Sequence, residues 1–280
     1  MEKFKIAASA FWHLLKNPWL LRYAFDDQSY WQKRAGKKYG FDAGLPVLEL
    51  IDFFQDSSET VAPFAFLGGG SMPTDLALIR ALLRKYPTEN YLEIGTWRGE
   101  SVANAAPFVR NAYTVNLPDN TIRTLHNGEE YVRVLRQFSE KLPNVTHIQA
   151  DSTSFDFKSL GVKFGLVFID GDHSYNSVRT DTSHILDVLE PGGIIVWHDY
   201  TRHFDEIRWS VLNGILDGLP AEMHSGLYGI SHSLCAIYLP RAFGMDVSER
   251  LNPYRQLQRF FSVTINVEPK DKGSENFNSK

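Results

Sequence analysis

The sequence predicts an α/β fold, a doubly wound and mostly parallel sheet, and three observations carry that expectation. Five short apolar runs, at residues 91–94, 112–115, 145–150, 166–169 and 194–197, alternate with stretches of helical period. A glycine turn, Gly95-Thr96-Trp97-Arg98-Gly99, follows the first run directly. Acidic residues and histidines cluster after the fourth and fifth runs. Strands joined through helices run parallel, and such a sheet needs helices on both faces to bury its apolar side chains.

Taken in order, residues 1–67 are expected to form an N-terminal helical extension or cap, 68–267 the main domain and 268–280 a disordered tail. Phe11, Trp12, Leu14, Leu15, Trp19, Leu20 and Leu21 make the extension aromatic-rich, interrupted by Lys16, Asn17 and Pro18. Proline lacks an amide hydrogen and clashes with the preceding turn, so Pro18 should break or kink this helix. An apolar face among basic residues can lie in a membrane interface or pack on a protein core. Packing on the main domain is the expectation, with peripheral membrane contact the less favoured alternative.

Gly68, Gly69 and Gly70 then punctuate the chain, and Ser71 and Pro73 read as a helix start. Leu76, Ile79, Leu82 and Leu83 fall on one helical face, as do Tyr131, Val134, Leu135 and Phe138, and further on Val178, Ile185, Val188 and Leu189. Beyond Asp199 the pattern predicts a helix over 207–216 and strands over 232–239 and 261–267, the strands forming an antiparallel hairpin at the sheet edge. No internal repeat is present.

Composition narrows the class. A chain of 280 residues with 43% hydrophobic content can bury a full core. A net charge of -4 and a pI near 6.1 lack the basic field that nucleic-acid binding exploits. The single cysteine, Cys235, cannot form an internal disulfide, and no secretory pattern opens the chain, so a reducing, cytoplasmic setting is expected. No apolar run approaches the roughly 20 residues of a spanning helix.

The turn at the end of the first strand carries the strongest chemical signal. Ligands of open α/β sheets bind in the crevice at the strands' carboxyl ends, and glycines there let backbone and ligand approach closely. The spacing lacks the third glycine of the dinucleotide fingerprint, which disfavours nicotinamide and flavin. Asp170-Gly171-Asp172-His173 and His198-Asp199 should converge on the same crevice. Such a set can hold a divalent cation, exchange protons with a hydroxyl, contact a cofactor or make local turn hydrogen bonds. Asp151 and Ser152 end the third strand, where they can bind a ligand or cap the next segment. Ser231, His232 and Cys235 lack a glycine-flanked elbow and read as buried strand residues.

Over roughly residues 68–200 these motifs resemble the class I methyltransferases that use S-adenosylmethionine, in particular the type-24 methyltransferase domain, whose sheet is Rossmann-like. The resemblance implies that Glu93 supports the turn and the cofactor's methionine end, that Gly95 and Gly99 are the family's two glycines, and that the turn, Thr96 included, contacts the cofactor. It places Asn116 where a carboxylate usually holds the ribose hydroxyls. An amide makes the same bonds without charge assistance, and Asp119 is the alternative. Asp151 and Ser152 would meet the adenine, and Asp170 and Asp172 the methionine end.

In metal-dependent catechol-type relatives, the matching metal positions are Asp170, His198 and Asp199. A histidine there suits manganese, iron or zinc better than magnesium. His173 becomes the candidate general base, beside Asp170 and His198. The implied reaction is methyl transfer to an oxygen, in second place a nitrogen, of a small hydroxylated metabolite or sugar. The rivals are a metal-dependent oxygenase or hydrolase on the same scaffold, which would hold redox-active iron, and a non-catalytic cofactor-binding module, which would bind without turnover. The N-terminal helices, the loop at residues 68–71 and the segment after Tyr200 would select the acceptor, and the oligomeric state is not readable.

Overall fold

A computed structural model describes residues 2–18, 28–54, 58–125, 127–203, 206–240, 247–248 and 261–266. All five expected parallel strands are present: β2 (Asn90–Ile94), β3 (Asn111–Asn116), β4 (Val145–Gln149), β5 (Phe164–Ile169) and β6 (Leu189–Trp197). They pair in the order β4-β3-β2-β5-β6, parallel throughout. The chain therefore winds outward from β2 and then returns to β5 on its other side. The switch point between β2 and β5 opens a crevice at their carboxyl ends, where Gly95 and Asp170 sit.

Strand alternation assigns the two faces. Leu92, Ile94, Val167, Ile169, Ile195 and Trp197 point to one core, shared with helices α7 (Tyr175–Ile185) and α8 (Trp209–Gly218). Tyr91, Leu166, Phe168, Ile194 and Val196 point to the other, shared with α3 (Pro73–Lys85) and α4 (Glu100–Ala105). Pro73 opens α3 as its first residue, but Met72 rather than Ser71 precedes it, and the Asp75 carboxylate accepts the Met72 amide at 2.7 Å. The short α5 (Asp119–Arg123) and α6 (Gly128–Val134) lie between β3 and β4. Helix α6 ends before Leu135, so the helical face expected to run to Phe138 is shorter than its periodicity predicts.

The sheet's other edge differs from expectation. Strand β10 (Ala236–Tyr238) runs antiparallel to β6, as a terminal strand should, but its second neighbour is β9 (Leu227–Ile230), not residues 261–267. Residues 261–266 form no strand, and Phe261, Val263 and Ile265 are exposed; Val267 and the tail expected at 268–280 lie outside the described residues. Apolar alternation alone cannot choose a partner, and the edge is instead filled by β1 (Val47–Leu48), parallel to β9, with β11 (Val247–Ser248) antiparallel to β1. The sheet thus draws a strand from the N-terminal 67 residues. A separate two-stranded ribbon, β7 (Thr201–His203) and β8 (Glu206–Ile207), follows the fifth parallel strand.

The N-terminal segment divides into α1 (Glu2–Lys16) and α2 (Gln28–Tyr39). Helix α2 docks on α8 through Asn213, which bonds Arg34 and the Trp31 carbonyl, and above all through one carboxylate. Asp217 binds Arg34 at 2.6 Å, Lys38 at 2.6 Å and the hydroxyls of Tyr175 and Tyr39. Burial would raise this acid, but those four donors hold it far below the usual carboxylate range. Trp31 stacks on Tyr175 at 4.7 Å beside them. Helix α1 does not follow the expectation of packing on the main domain: Phe11, Trp12 and Leu15 are each about 60% exposed. Trp19, Leu20 and Leu21, expected to continue its apolar face, lie outside the described residues.

Because Asp217 gathers two cations and two hydroxyls, Asp217→Ala should lower stability by about 1.5–3 kcal/mol, the range for hydrogen bonds to a charged group. Urea denaturation should show a lower midpoint with the slope preserved. An unchanged midpoint would mean that this carboxylate does not anchor α2.

Candidate functional site

The glycine turn after β2 is shaped by its neighbours. Gly95 has φ +97°, its amide donates to the Val115 carbonyl, and a Cβ there would lie 2.0 Å from the carbonyl oxygen of Asp170. The sequence reading attributed this glycine to ligand approach. The structure adds a prior requirement, since only glycine lets the ends of β2 and β5 come this close. Gly99, φ +78°, packs in the same way on Ser139. Between them Thr96 is buried, its hydroxyl 2.5 Å from that of Thr114 and its amide 3.3 Å from Asn116 Oδ1. Asn116 is thus turned toward the first strand's turn.

Arg98, in the same turn, is 4% exposed and pairs with Glu100 at 2.8 Å while donating to the carbonyls of Leu67 and Gly68. Glu100 in turn accepts from the Ala65 amide at 2.7 Å. This buried pair straps the loop at residues 65–70 over the crevice, a function that periodicity could not reveal. Gly69 lies so close to the Trp97 ring that a Cβ would sit 2.4 Å from it.

Two adjoining cavities occupy the crevice. The larger, about 630 Å³, is lined by Asn116, Asp151, Ser152 and Asp172, with Ile94, Val115, Ile122, Leu125 and Ala150 as its apolar walls. The smaller, about 220 Å³, is lined by Thr96, Gly99, Ser71, His173 and Asp199. Gly95, Tyr131, Asp170 and Gly171 border both. Tyr131 was read as one position of a core-facing helical stripe. It instead faces the crevice, stacked on Trp97 with ring centres 5.4 Å apart, and burial beside Asp170 pushes its hydroxyl up to about 12.

The remaining expected residues are distributed as follows. Asp119 is not among the lining residues, and both its carboxylate oxygens are taken by Arg136 at 2.8 and 2.6 Å. Asp151 Oδ1 accepts from the amide and hydroxyl of Thr153, so it serves the local turn while facing the larger cavity. Asp172 accepts from the Ser177 hydroxyl at 2.9 Å. Glu93 lies fully buried beneath the turn and lines neither cavity; Oε2 accepts from the Tyr91 hydroxyl at 2.7 Å and Oε1 has no hydrogen-bond partner. Burial pushes this acid up to about 8. Asp181, missed by the sequence reading, lines the larger cavity from α7 with Oδ1 unpartnered, and burial raises it to about 6.

The acidic and histidine clusters do converge. Ligating atoms of Asp170, His173 and Asp199 lie within 4.8 Å of one another. His198 stands behind them, 7% exposed, with Nε2 3.1 Å from Asp75 Oδ2. Its Nδ1 lies 3.0 Å from Asp170 and 3.2 Å from Asp199, out of line for a hydrogen bond, so these are ionic contacts. Burial alone would lower this imidazole, but the Asp170, Asp199 and Asp75 carboxylates raise it well above its ordinary value. His173, in place of His198, is the imidazole whose ring nitrogen groups with the two carboxylates.

Burial would raise Asp199 too, yet His198, His173 and Arg208 hold it at about 2. Arg208, from the segment after β8, reaches it at 2.9 Å. Asp199 also has φ +59°, a left-handed conformation that aspartate adopts more readily than most side chains. Ser71 Oγ donates to Asp170 at 3.3 Å, tying in the glycine-rich loop. Ser231 and Cys235 are buried strand-end residues, as their lack of a glycine-flanked elbow predicts, with burial pushing the Cys235 thiol well up.

Residues 92–200 match the family model for a methyltransferase domain, the type-24 branch. Over this stretch the chain is similar to a class I methyltransferase domain. The match covers the five parallel strands and both clusters. No curated protein matches the chain. Similar solved structures include a SAM-bound amino pentose methyltransferase of calicheamicin biosynthesis from Micromonospora echinaspora, 19% identical over 44% of this chain and 47% of that one, TM-score 0.32. An O-methyltransferase from Bacillus cereus in complex with SAH is 15% identical over 62% of this chain and 84% of that one, TM-score 0.41. A TDP-rhamnose 3'-O-methyltransferase of calicheamicin biosynthesis is 16% identical over 61% and 80%, TM-score 0.41. The chain spans about half the length of the first of these, and likenesses this distant carry no argument about its chemistry.

The raised Glu93 acid makes a testable claim about stability. Its folded value, about 8, lies above the ordinary 4.5, so the folded state binds this proton more tightly than the unfolded one. The stabilisation is complete below pH 4.5 and is lost as pH rises toward 8, with a span on the order of 5 kcal/mol. Thermal melts from pH 5 to 8 should fall for the wild type and stay flatter for Glu93→Gln, which remains neutral throughout. Parallel curves would contradict a neutral buried acid.

Proposed function

We propose that this protein transfers a methyl group from S-adenosylmethionine to a hydroxyl oxygen of a small hydroxylated acceptor, a sugar being one such compound. The observation that carries the reading is the pair of adjoining cavities that share Gly95, Tyr131, Asp170 and Gly171. One is large enough for a cofactor, within the roughly 300–1,000 Å³ of small-molecule sites, and the other presents acid and imidazole groups beside it. The domain match favours methyl transfer over the oxygenase, hydrolase and binding-only alternatives.

The residues present fit the cofactor. Ile94, Val115, Ile122, Leu125 and Ala150 offer apolar walls to a planar base, and Asp151 and Ser152 offer polar groups at its edge. Asn116, in the wall of the larger cavity, is the better candidate for the ribose, since Asp119 is already paired with Arg136. When bound, S-adenosylmethionine supplies a methyl group on a positively charged sulfur. Asp170 and Tyr131, the latter backed by the stacked Trp97, border the place where the two cavities meet, so they would orient the reacting ends and exclude water.

Asp170, His173 and Asp199 also suit a divalent cation, and an imidazole with two carboxylates favours manganese, iron or zinc over magnesium. When bound, such a cation supplies Lewis acidity that lowers the pKa of an acceptor hydroxyl. His198 fixes the two carboxylates from behind. His173, 40% exposed with Nδ1 3.1 Å from Asp199, is placed to take the acceptor's proton at Nε2. The grouping with Asp170 and Asp199 supports a second reading, in which His173 is itself a ligand.

Calorimetry should detect micromolar binding of S-adenosylmethionine. Asn116→Ala should weaken it about tenfold, and Asn116→Asp, which keeps an acceptor for the Thr96 amide, should preserve or tighten it. Unchanged affinity in Asn116→Ala together with Asp151→Ala would rule out the larger cavity as the cofactor site. Once an acceptor is found, chelator and Asp199→Ala should each depress turnover while sparing cofactor affinity, and full activity in both would remove the cation. His173→Ala distinguishes the two roles: retained metal with an altered pH profile marks a base, and lost metal marks a ligand.

A further inference from the structure

Helix α1 presents a face that the rest of the described molecule does not cover. Phe11, Leu14 and Leu15 recur at the spacing of one helical stripe, with Trp12 at its edge, and Phe11, Trp12 and Leu15 are 64%, 60% and 59% exposed. Ser9, His13 and Lys16 fall on the other side of the helix. Burying such a stripe in a protein core should leave it inaccessible, as it does for α3 and α8.

Charge identifies what covers it. The helix carries three lysines against one glutamate, while the whole chain has a net charge of -4. A second copy of α1 would bring like charge to like charge, and the positive segment of an otherwise acidic protein complements an anionic surface. The Lys16 ammonium lies 5.4 Å from the centre of the Trp12 ring, pairing an amphipathic aromatic with a long cationic stem at the edge of the apolar stripe. Both side chains are suited to the boundary between acyl chains and headgroups. The helix has 15 residues, and no helix among the described residues is long and apolar enough to cross a membrane. Its geometry is that of a helix lying in the interface plane.

We infer that α1 is an interfacial anchor that docks this protein reversibly on anionic lipid bilayers, its Phe11–Leu15 face immersed and Lys16 at headgroup level. This is independent of the proposed methyl transfer, since α1 contributes no residue to the cavities. Docking would hold the protein where amphipathic hydroxylated acceptors concentrate.

The test is co-sedimentation of the full chain with phosphatidylcholine vesicles and with vesicles containing phosphatidylglycerol. Binding should be confined largely to the anionic vesicles and weaken as salt is raised. Phe11→Asp combined with Leu15→Asp should reduce the bound fraction at least about tenfold, and Phe11→Leu should preserve it. Circular dichroism and cofactor calorimetry on both variants check that the remainder stays folded. No sedimentation of the wild type with anionic vesicles would overturn the inference, as would equal binding by the double variant. Light scattering showing a dimer that the double variant dissociates, without vesicle binding, would assign the face to a second copy and likewise overturn it.

Discussion

The imidazole of His198 sits where helix α3 meets the carboxyl ends of β5 and β6, and the geometry of the crevice depends on its charge. Three carboxylates face it: Asp75 from the start of α3, Asp170 after β5 and its own neighbour Asp199. Two acids at neighbouring strand ends would repel one another if nothing positive stood between them. A cation fixed behind both lets them remain ionised and aimed into the same space. An unpaired charge at a 7% exposed position would be costly, roughly 3–5 kcal/mol when one partner is lost, so the arrangement requires Asp75 as much as the two cleft acids.

Asp75 extends that constraint to the substrate side. The same carboxylate takes the Met72 amide, the Ser233 hydroxyl and the Leu234 amide, so the start of α3, the turn before β10 and the strand-end histidine share one group. The glycine-rich loop just upstream of Met72 is tied in through Ser71 to Asp170 and through Arg98 to the glycine turn. Loops that select an acceptor normally move independently of the sheet. Here buried charge ties the loop at residues 65–72 to the glycine turn and to the strand end that carries Asp170.

The same faces that make the core also explain the buried Glu93. It alternates with Leu92 and Ile94 and so points toward the α3 and α4 layer, where Tyr91 is its hydrogen-bond partner. Its neighbour Gly95 leads the chain out of that layer within two residues. An acid so placed acts beneath the turn, as support, and the groups that face ligand are the backbone and side chains of the turn itself.

The order of five strands, the glycine turn after the first and the acids after the fourth and fifth were legible in the sequence, because period-2 and helical apolar patterns, glycine and strand-end charge are local signals. Asn116 and Asp119 could both be named from the sequence, yet only folding showed that Arg136, 17 residues from Asp119, takes both oxygens of that carboxylate. His198 could be placed beside the two acids, but the group that forms with them takes His173, while the His198 ring also meets Asp75, 123 residues away in the chain. Tyr131 was drawn into the crevice by stacking on Trp97, and the sheet edge was closed by residues 47–48 in place of 261–267. Helix α1 was legible as amphipathic, but not its exposure. Local patterns state what a segment can bury or bond; which group is available to meet it is decided by contacts between distant residues, and only the tertiary structure supplies those.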